Sequence, residues 1–324
     1  MAAGTHDSRV RRQSVAVRQT GGVDAPSDPV GDVPSPQRRP CALGAGAEQL
    51  AGTASYDVTH LLIEHSGRWG RKAFSESDLP DHVRATVAAR AESAGVRVHL
   101  IRRHGRAGTA DGFRIYGANT MPGSRWLGTA LLADPDELLD LDLRAWGRGR
   151  MAGLDRVGHP LLLVCTNGRR DACCAEFGRP IAKALARDYP EETWEVTHLG
   201  GHRFAGAMLT LPSGLSYGRL DPAAALAVAE STQRGDLVPS HLRGRVCYPP
   251  AAQVAEVLLR EQHGWRGIDD LELATVTESG QRATATFVRE GGHVTVELEQ
   301  EEGPAVRASC SDLAPRPTVR WRRL

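Results

Sequence analysis

The chain has 324 residues, with 40 Lys and Arg against 39 Asp and Glu and a formal net charge of +1, so no single-signed field draws it to nucleic acid or to an anionic membrane. No stretch reaches the roughly 20 apolar residues of a membrane span, and the first residues lack the apolar core of a secretory signal. Six cysteines are too sparse for a secreted disulfide scaffold, so the expectation is a cytoplasmic protein without nucleic-acid or membrane partners, built of more than one folded unit.

Residues 1–40 are rich in Pro, Gly, Ser, Asp and Arg and have no apolar period. They cannot bury enough surface to offset their ordering entropy and are expected to form a disordered tail. An N-terminal α/β module is expected over 41–150. In it, residues 58–64 read as a buried strand, and Ser77 or Asp78 can cap a helix that carries Pro80 in its first turn and stops at Gly95. Residues 96–101, 113–116 and 126–132 read as further strands, and Asp134 opens a short helix. Residues 144–158, with several Gly and Arg, read as a connection.

A second module is expected over 159–235. Leu161, Leu162, Leu163 and Val164 form a short continuous apolar run, as in a central strand covered on both faces. A helix is expected from Ala175 to about Asp188, a strand over 193–197, and a hairpin from 207–211 and 215–220 around Pro212-Ser213-Gly214. Asp221-Pro222 opens an Ala-rich helix. The C-terminal segment, 236–324, reads as a helix over 251–263 and antiparallel strands over 271–277, 282–289 and 293–299, with turns at Gly280 and Gly291-Gly292. No internal repeat is evident.

Chemistry concentrates in the second module. The strand ending at Cys165 runs into Cys165-Thr166-Asn167-Gly168-Arg169-Arg170-Asp171-Ala172-Cys173-Cys174, and the next strand into His198-Leu199-Gly200-Gly201-His202-Arg203-Phe204-Ala205. As ligands these are Cys-x8-Cys and His-x3-His. Two loops that each follow a parallel strand open at the same sheet edge, so Cys165, Cys174, His198 and His202 can converge. Soft thiolates with imidazoles leave zinc and a [2Fe–2S] cluster as candidates. Gly200-Gly201 argues against a helical His pair, since each glycine weakens a helix by about 1 kcal/mol. A glycine loop instead lets backbone N–H groups approach bridging sulfides.

Those two motifs resemble the sucrase/ferredoxin-like family, whose core is similar to thioredoxin-like [2Fe–2S] ferredoxins. The resemblance is specific at the motifs and looser over about 41–262. It implies an α/β fold: a thioredoxin-like ferredoxin module, preceded by the N-terminal α/β module and followed by a small α+β C-terminal segment. It further implies a [2Fe–2S] cluster held by Cys165, Cys174, His198 and His202, with imidazoles where four-cysteine relatives carry a Cys-x3-Cys pair. Neutral ligands raise the potential of such a cluster, and Arg169, Arg170 and Arg203 would push the same way. The function so implied is one-electron exchange with redox partner proteins, a reductase and an acceptor, by a carrier or complex component more than a stand-alone enzyme.

Other readings compete. A structural or regulatory zinc module would use the same four ligands, and Cys173 could replace Cys174. Gly214-Leu215-Ser216-Tyr217-Gly218 matches a hydrolase nucleophile elbow, but falls inside an expected strand. A thiol oxidoreductase would want the Cys-x-x-Cys that the chain lacks. The basic tail at 316–323 reads as a solvated terminus, and Cys41, Cys247 and Cys310, isolated in the sequence, receive no role.

Overall fold

The structure is a computed structural model and describes residues 40–105 and 112–324. The expected tail over 1–40 lies outside the described residues except for Pro40. Described residues from Pro40 onward belong to one compact unit.

After a short helix α1 (Cys41–Gly44), the chain forms β1 (Thr59–Glu64), α2 (Asp81–Ala94), β2 (Val96–Arg102), β3 (Phe113–Asn119), β4 (Trp126–Leu132), α3 (Leu143–Gly147) and β5 (Asp155–Arg156). It continues with β6 (Leu161–Cys165), α4 (Ala172–Asp188), β7 (Thr193–Val196), β8 (Met208–Leu211), β9 (Leu215–Tyr217), α5 (Pro222–Gln233), β10 (Leu242–Arg245) and α6 (Pro250–His263). These ten strands form one sheet in the order β10-β9-β8-β6-β7-β2-β1-β3-β4-β5. A separate antiparallel sheet holds β11 (Glu272–Ser279), β12 (Arg282–Arg289), β13 (Gly292–Val306) and β14 (Arg316–Arg323). The class is therefore α/β, with a small antiparallel segment at the C-terminus.

The order is nearly palindromic. In the first half β1 runs parallel to β2 and antiparallel to β3, which pairs with β4. In the second half β6 runs parallel to β7 and antiparallel to β8, which pairs with β9. One strand-helix-strand unit followed by a hairpin thus occurs twice, although no sequence repeat announces it. The halves join edge to edge through the antiparallel pairs Ile101–Val196 and Arg102–Glu195, so the segments 41–150 and 159–235 share one sheet.

The apolar run of β6 explains its central position. Leu161, Leu162, Leu163 and Val164 are all fully buried, and each such side chain contributes about 1.5–3 kcal/mol on leaving water. Gly178 of α4 lets the helix lie directly on the end of β6, because a Cβ there would stand 2.1 Å from the Cys165 carbonyl oxygen.

Several local expectations change. Pro80 itself is the N-cap of α2, with no side-chain cap; the Ser77 hydroxyl donates to the Phe74 carbonyl and Asp78 pairs with His65. Helix α4 starts at Ala172 because the Asp171 carboxylate accepts from the Cys173 N–H at 3.0 Å. The expected connection over 144–158 contains α3, whose Trp146 is fully buried and donates its indole N–H to the Ala152 carbonyl at 2.9 Å. Neither β10 nor β14 has an apolar alternation. Strand β10 is held by the Arg245–Glu256 ion pair at 2.9 Å to α6, and β14 covers the second sheet with Trp321 as its one buried residue. The tail read as solvated is thus an edge strand.

Candidate metal centre

Strands β6 and β7 are parallel neighbours, so their C-terminal ends open at one edge and deliver both motifs there. Asn167 shapes the first loop: its side-chain carbonyl accepts from the N–H groups of Arg169 and Arg170 at 3.2 and 3.3 Å, and its amide donates to the Gly70 carbonyl at 3.1 Å. Asp171 then caps α4 and sets Cys173 and Cys174 in its first turn, where both are buried. In the second loop Gly200 and Gly201 take φ values of 83° and 70°, a left-handed pair that side chains resist.

The structure brings Cys165, Cys174 and His198 together, with their ligand atoms all within 4.8 Å of one another. His198 Nδ1 lies 4.0 Å from Cys165 Sγ and 3.9 Å from Cys174 Sγ. His202 is outside that group of three. Its ring stacks on His198, 4.5 Å between centroids and 26° from parallel. Its Nδ1 is buried with no hydrogen-bond partner among the described residues. Cys173, the alternative second thiol, faces Cys41 and Cys310 instead, with sulfur separations of 3.6 and 3.2 Å.

A hydrogen bond from Cys174, then the neighbouring His198 and the Leu199 N–H, hold the Cys165 thiol well below its ordinary pKa, while the same contact to Cys165 and burial push Cys174 up. The pair therefore carries one negative charge readily, as two thiols sharing a proton do. Burial and the positive field of His198 push His202 down to about 4, so at neutral pH its imidazole is uncharged and able to ligate.

Two supports of the site carry no local sequence signal. Arg243 in β10 is fully buried, donates to the Gly200 carbonyl at 3.0 Å, and reaches both the hydroxyl and the carbonyl of Thr53. Glu48 forms a two-pronged pair with Arg203 at 2.5 and 2.6 Å. The charge expected of Arg203 is thus matched by a carboxylate, and Arg243 supplies the buried cation that acts on Cys165. A cleft of about 220 Å³ that His198 helps to line carries Arg71, Lys72, Arg97 and Arg170 on its walls. Ser216 lies buried inside β9, paired to β8 and β10, so its motif makes no strand-turn-helix elbow.

The fold and the site define an α/β protein in which strand-end loops gather cysteines and histidines into a candidate metal centre. The chain belongs to the sucrase/ferredoxin-like family, whose model matches residues 50–244. It is also similar to the altered inheritance of mitochondria protein 32 of Meyerozyma guilliermondii, with 28% identity over 97 residues that cover 26% of this chain. The match spans 34% of that relative's length. No solved structure matches the chain. No helix among the described residues is long and apolar enough to cross a membrane.

Proposed function

We propose that the protein is an iron–sulfur electron carrier that holds a [2Fe–2S] cluster on Cys165, Cys174, His198 and His202. The observation that carries this reading is the donor set itself: two buried thiols in contact, faced by two stacked imidazoles of which one keeps an unpartnered buried nitrogen. Two thiolates and two imidazoles are a set that one-electron clusters of this type accept, and the bound cluster would supply reversible one-electron transfer. The Leu199 N–H directed at Cys165 and the fixed charge of Arg243 lower the negative charge felt at the thiolates, which favours the reduced state. The order β7-β6-β8-β9, with its first pair parallel, supports a thioredoxin-like reading of the second half.

The basic cleft beside His198 suits an acidic surface on a protein partner, because opposite charge speeds and orients encounter. A reductase and an acceptor are the partners this function needs, and the cytoplasm is the compartment proposed.

A second reading has its own support. Cys165, Cys174 and His198 converge closely enough for one tetrahedral ion, so a zinc module on the same residues is the rival. Anaerobic visible and EPR spectra of the purified protein separate the two. Broad visible absorption with a reduced signal that shifts in His202→Cys and vanishes in Cys174→Ser is expected. A colourless protein whose zinc is lost in Cys174→Ser would reverse the order.

A further inference from the structure

Three cysteines outside the proposed cluster meet at one point. Cys41 in α1, Cys173 in the first turn of α4 and Cys310 in the connection between β13 and β14 are 132 and 137 residues apart along the chain. Their sulfurs are separated by 3.6 Å (Cys41–Cys173), 3.2 Å (Cys173–Cys310) and 3.7 Å (Cys310–Cys41). Asp171 completes the group, with Oδ1 3.9 Å from Cys41 Sγ and all four ligand atoms within 4.8 Å of one another.

We infer that Cys41, Cys173, Cys310 and Asp171 form a second, structural metal site that takes one zinc ion. A tetrahedral zinc with sulfur at about 2.3 Å sets its sulfurs about 3.8 Å apart and a carboxylate oxygen about 3.6 Å from each sulfur. The Cys41–Cys173 and Cys41–Cys310 separations and the Cys41–Asp171 distance lie close to those edges, the Cys173–Cys310 pair is shorter by about 0.6 Å, and all lie well beyond the roughly 2.05 Å of a disulfide bond.

The surroundings match a thiolate site. The Cys41 N–H points at Cys310 Sγ at 3.5 Å, and the Ala42 N–H points at Cys173 Sγ. Asp171 is fixed by the N–H groups of Cys173 at 3.0 Å and Cys310 at 2.8 Å, one on each oxygen. A carboxylate has about four lone-pair positions, so both bonds leave a position free for the metal. Ala205 and Phe177 pack around the sulfurs. Four protein ligands and no open position are the mark of a structural ion, not a catalytic one. Binding releases the three thiol protons and converts metal affinity into folding stability.

The site ties three remote segments together beside Cys174, the residue next to Cys173. The N-terminal segment that begins at Cys41 and the connection of the C-terminal sheet are both clamped onto the loop that carries the proposed cluster ligands.

The test is metal analysis of the full chain purified without chelator, in three forms. In the Cys165→Ser, Cys174→Ser double variant, about one equivalent of zinc remains while iron is lost. In Cys310→Ser, whose side chain is only partly buried, zinc is lost while iron is retained. Cobalt added to the zinc-free double variant gives the intense sulfur-to-metal charge-transfer band of thiolate ligation, which checks the site without any cysteine of the group being changed. Zinc that is absent from the double variant and no cobalt–thiolate band, or thiol mapping that finds Cys173 joined to Cys310 as a disulfide in the freshly purified protein, would overturn the assignment. Because iron and zinc are counted separately, failure of the cluster leaves the zinc result readable.

Discussion

Cys173 and Cys174 are adjacent in sequence and differ in everything that matters for chemistry. As first-turn residues of α4 they project about 100° apart around the helix, so Cys174 reaches Cys165 and His198 while Cys173 reaches Cys41 and Cys310. Buried histidines give a further test at this scale. His60 in β1 is fully buried, and burial pushes it down to about 4 in spite of the charge and backbone of Asp57, with Arg97 opposing the charge. An unfolded His60 titrates near 6.5. Protonation then favours the unfolded chain, so stability is complete above about pH 6.5 and falls as the pH drops towards 4. The loss expected from this one residue is about 3 kcal/mol. Urea midpoints recorded across that range should decline steeply, and more shallowly in His60→Leu; the same slope in both proteins would remove His60 from the account.

At the scale of elements, the site depends on how closely α4 approaches β6. Gly178 faces the Cys165 carbonyl with no room for a methyl group, since the Cβ contact of 2.1 Å is with backbone that cannot swing away. Gly178→Ala should therefore cost about 1–3 kcal/mol or more and separate Cys165 from Cys174, with loss of the proposed cluster ahead of loss of fold. Thermal melts followed by circular dichroism would check the packing and iron content the proposed cluster, and a variant that keeps the wild-type midpoint would contradict the packing argument. The buried ion triad of Arg245, Glu256 and Arg260 does the corresponding job for α6, with Glu256 accepting from the two guanidinium groups at 2.9 and 3.0 Å.

Across the whole molecule, the two halves meet where β2 and β7 exchange only a short run of pairs, and side chains reinforce the junction. Glu195 of β7 accepts from Arg102 at 2.9 and 2.8 Å, from His104 at 2.7 Å and from Thr166 at 2.8 Å. Burial raises its carboxyl, yet those hydrogen bonds hold it below the usual range. Glu195→Gln leaves Arg102 without a counter-charge in a site only partly open to solvent. A loss of about 2 kcal/mol is expected, read as a lower urea midpoint, and a change under about 0.5 kcal/mol would mean the junction rests on the strand pairs alone. Because Thr166 follows Cys165 directly, the same carboxylate links the interface of the halves to the candidate centre.

The sequence by itself determined the features whose information is local. Leu161 to Val164 had to be a central strand because an uninterrupted apolar run is stable only when covered on both faces. Each candidate pair stood out because eight residues separate Cys165 from Cys174 and three separate His198 from His202, across one strand end each; the structure brings Cys165, Cys174 and His198 together and leaves His202 stacked beside them. Only the tertiary structure decided the rest. The doubled strand order, the edge strands β10 and β14, the buried guanidinium of Arg243 beside Gly200, and the meeting of Cys41, Cys173 and Cys310 all come from contacts between segments far apart in the chain. Apolar period and loop spacing report what one segment will bury, and carry no record of which distant segment will cover it.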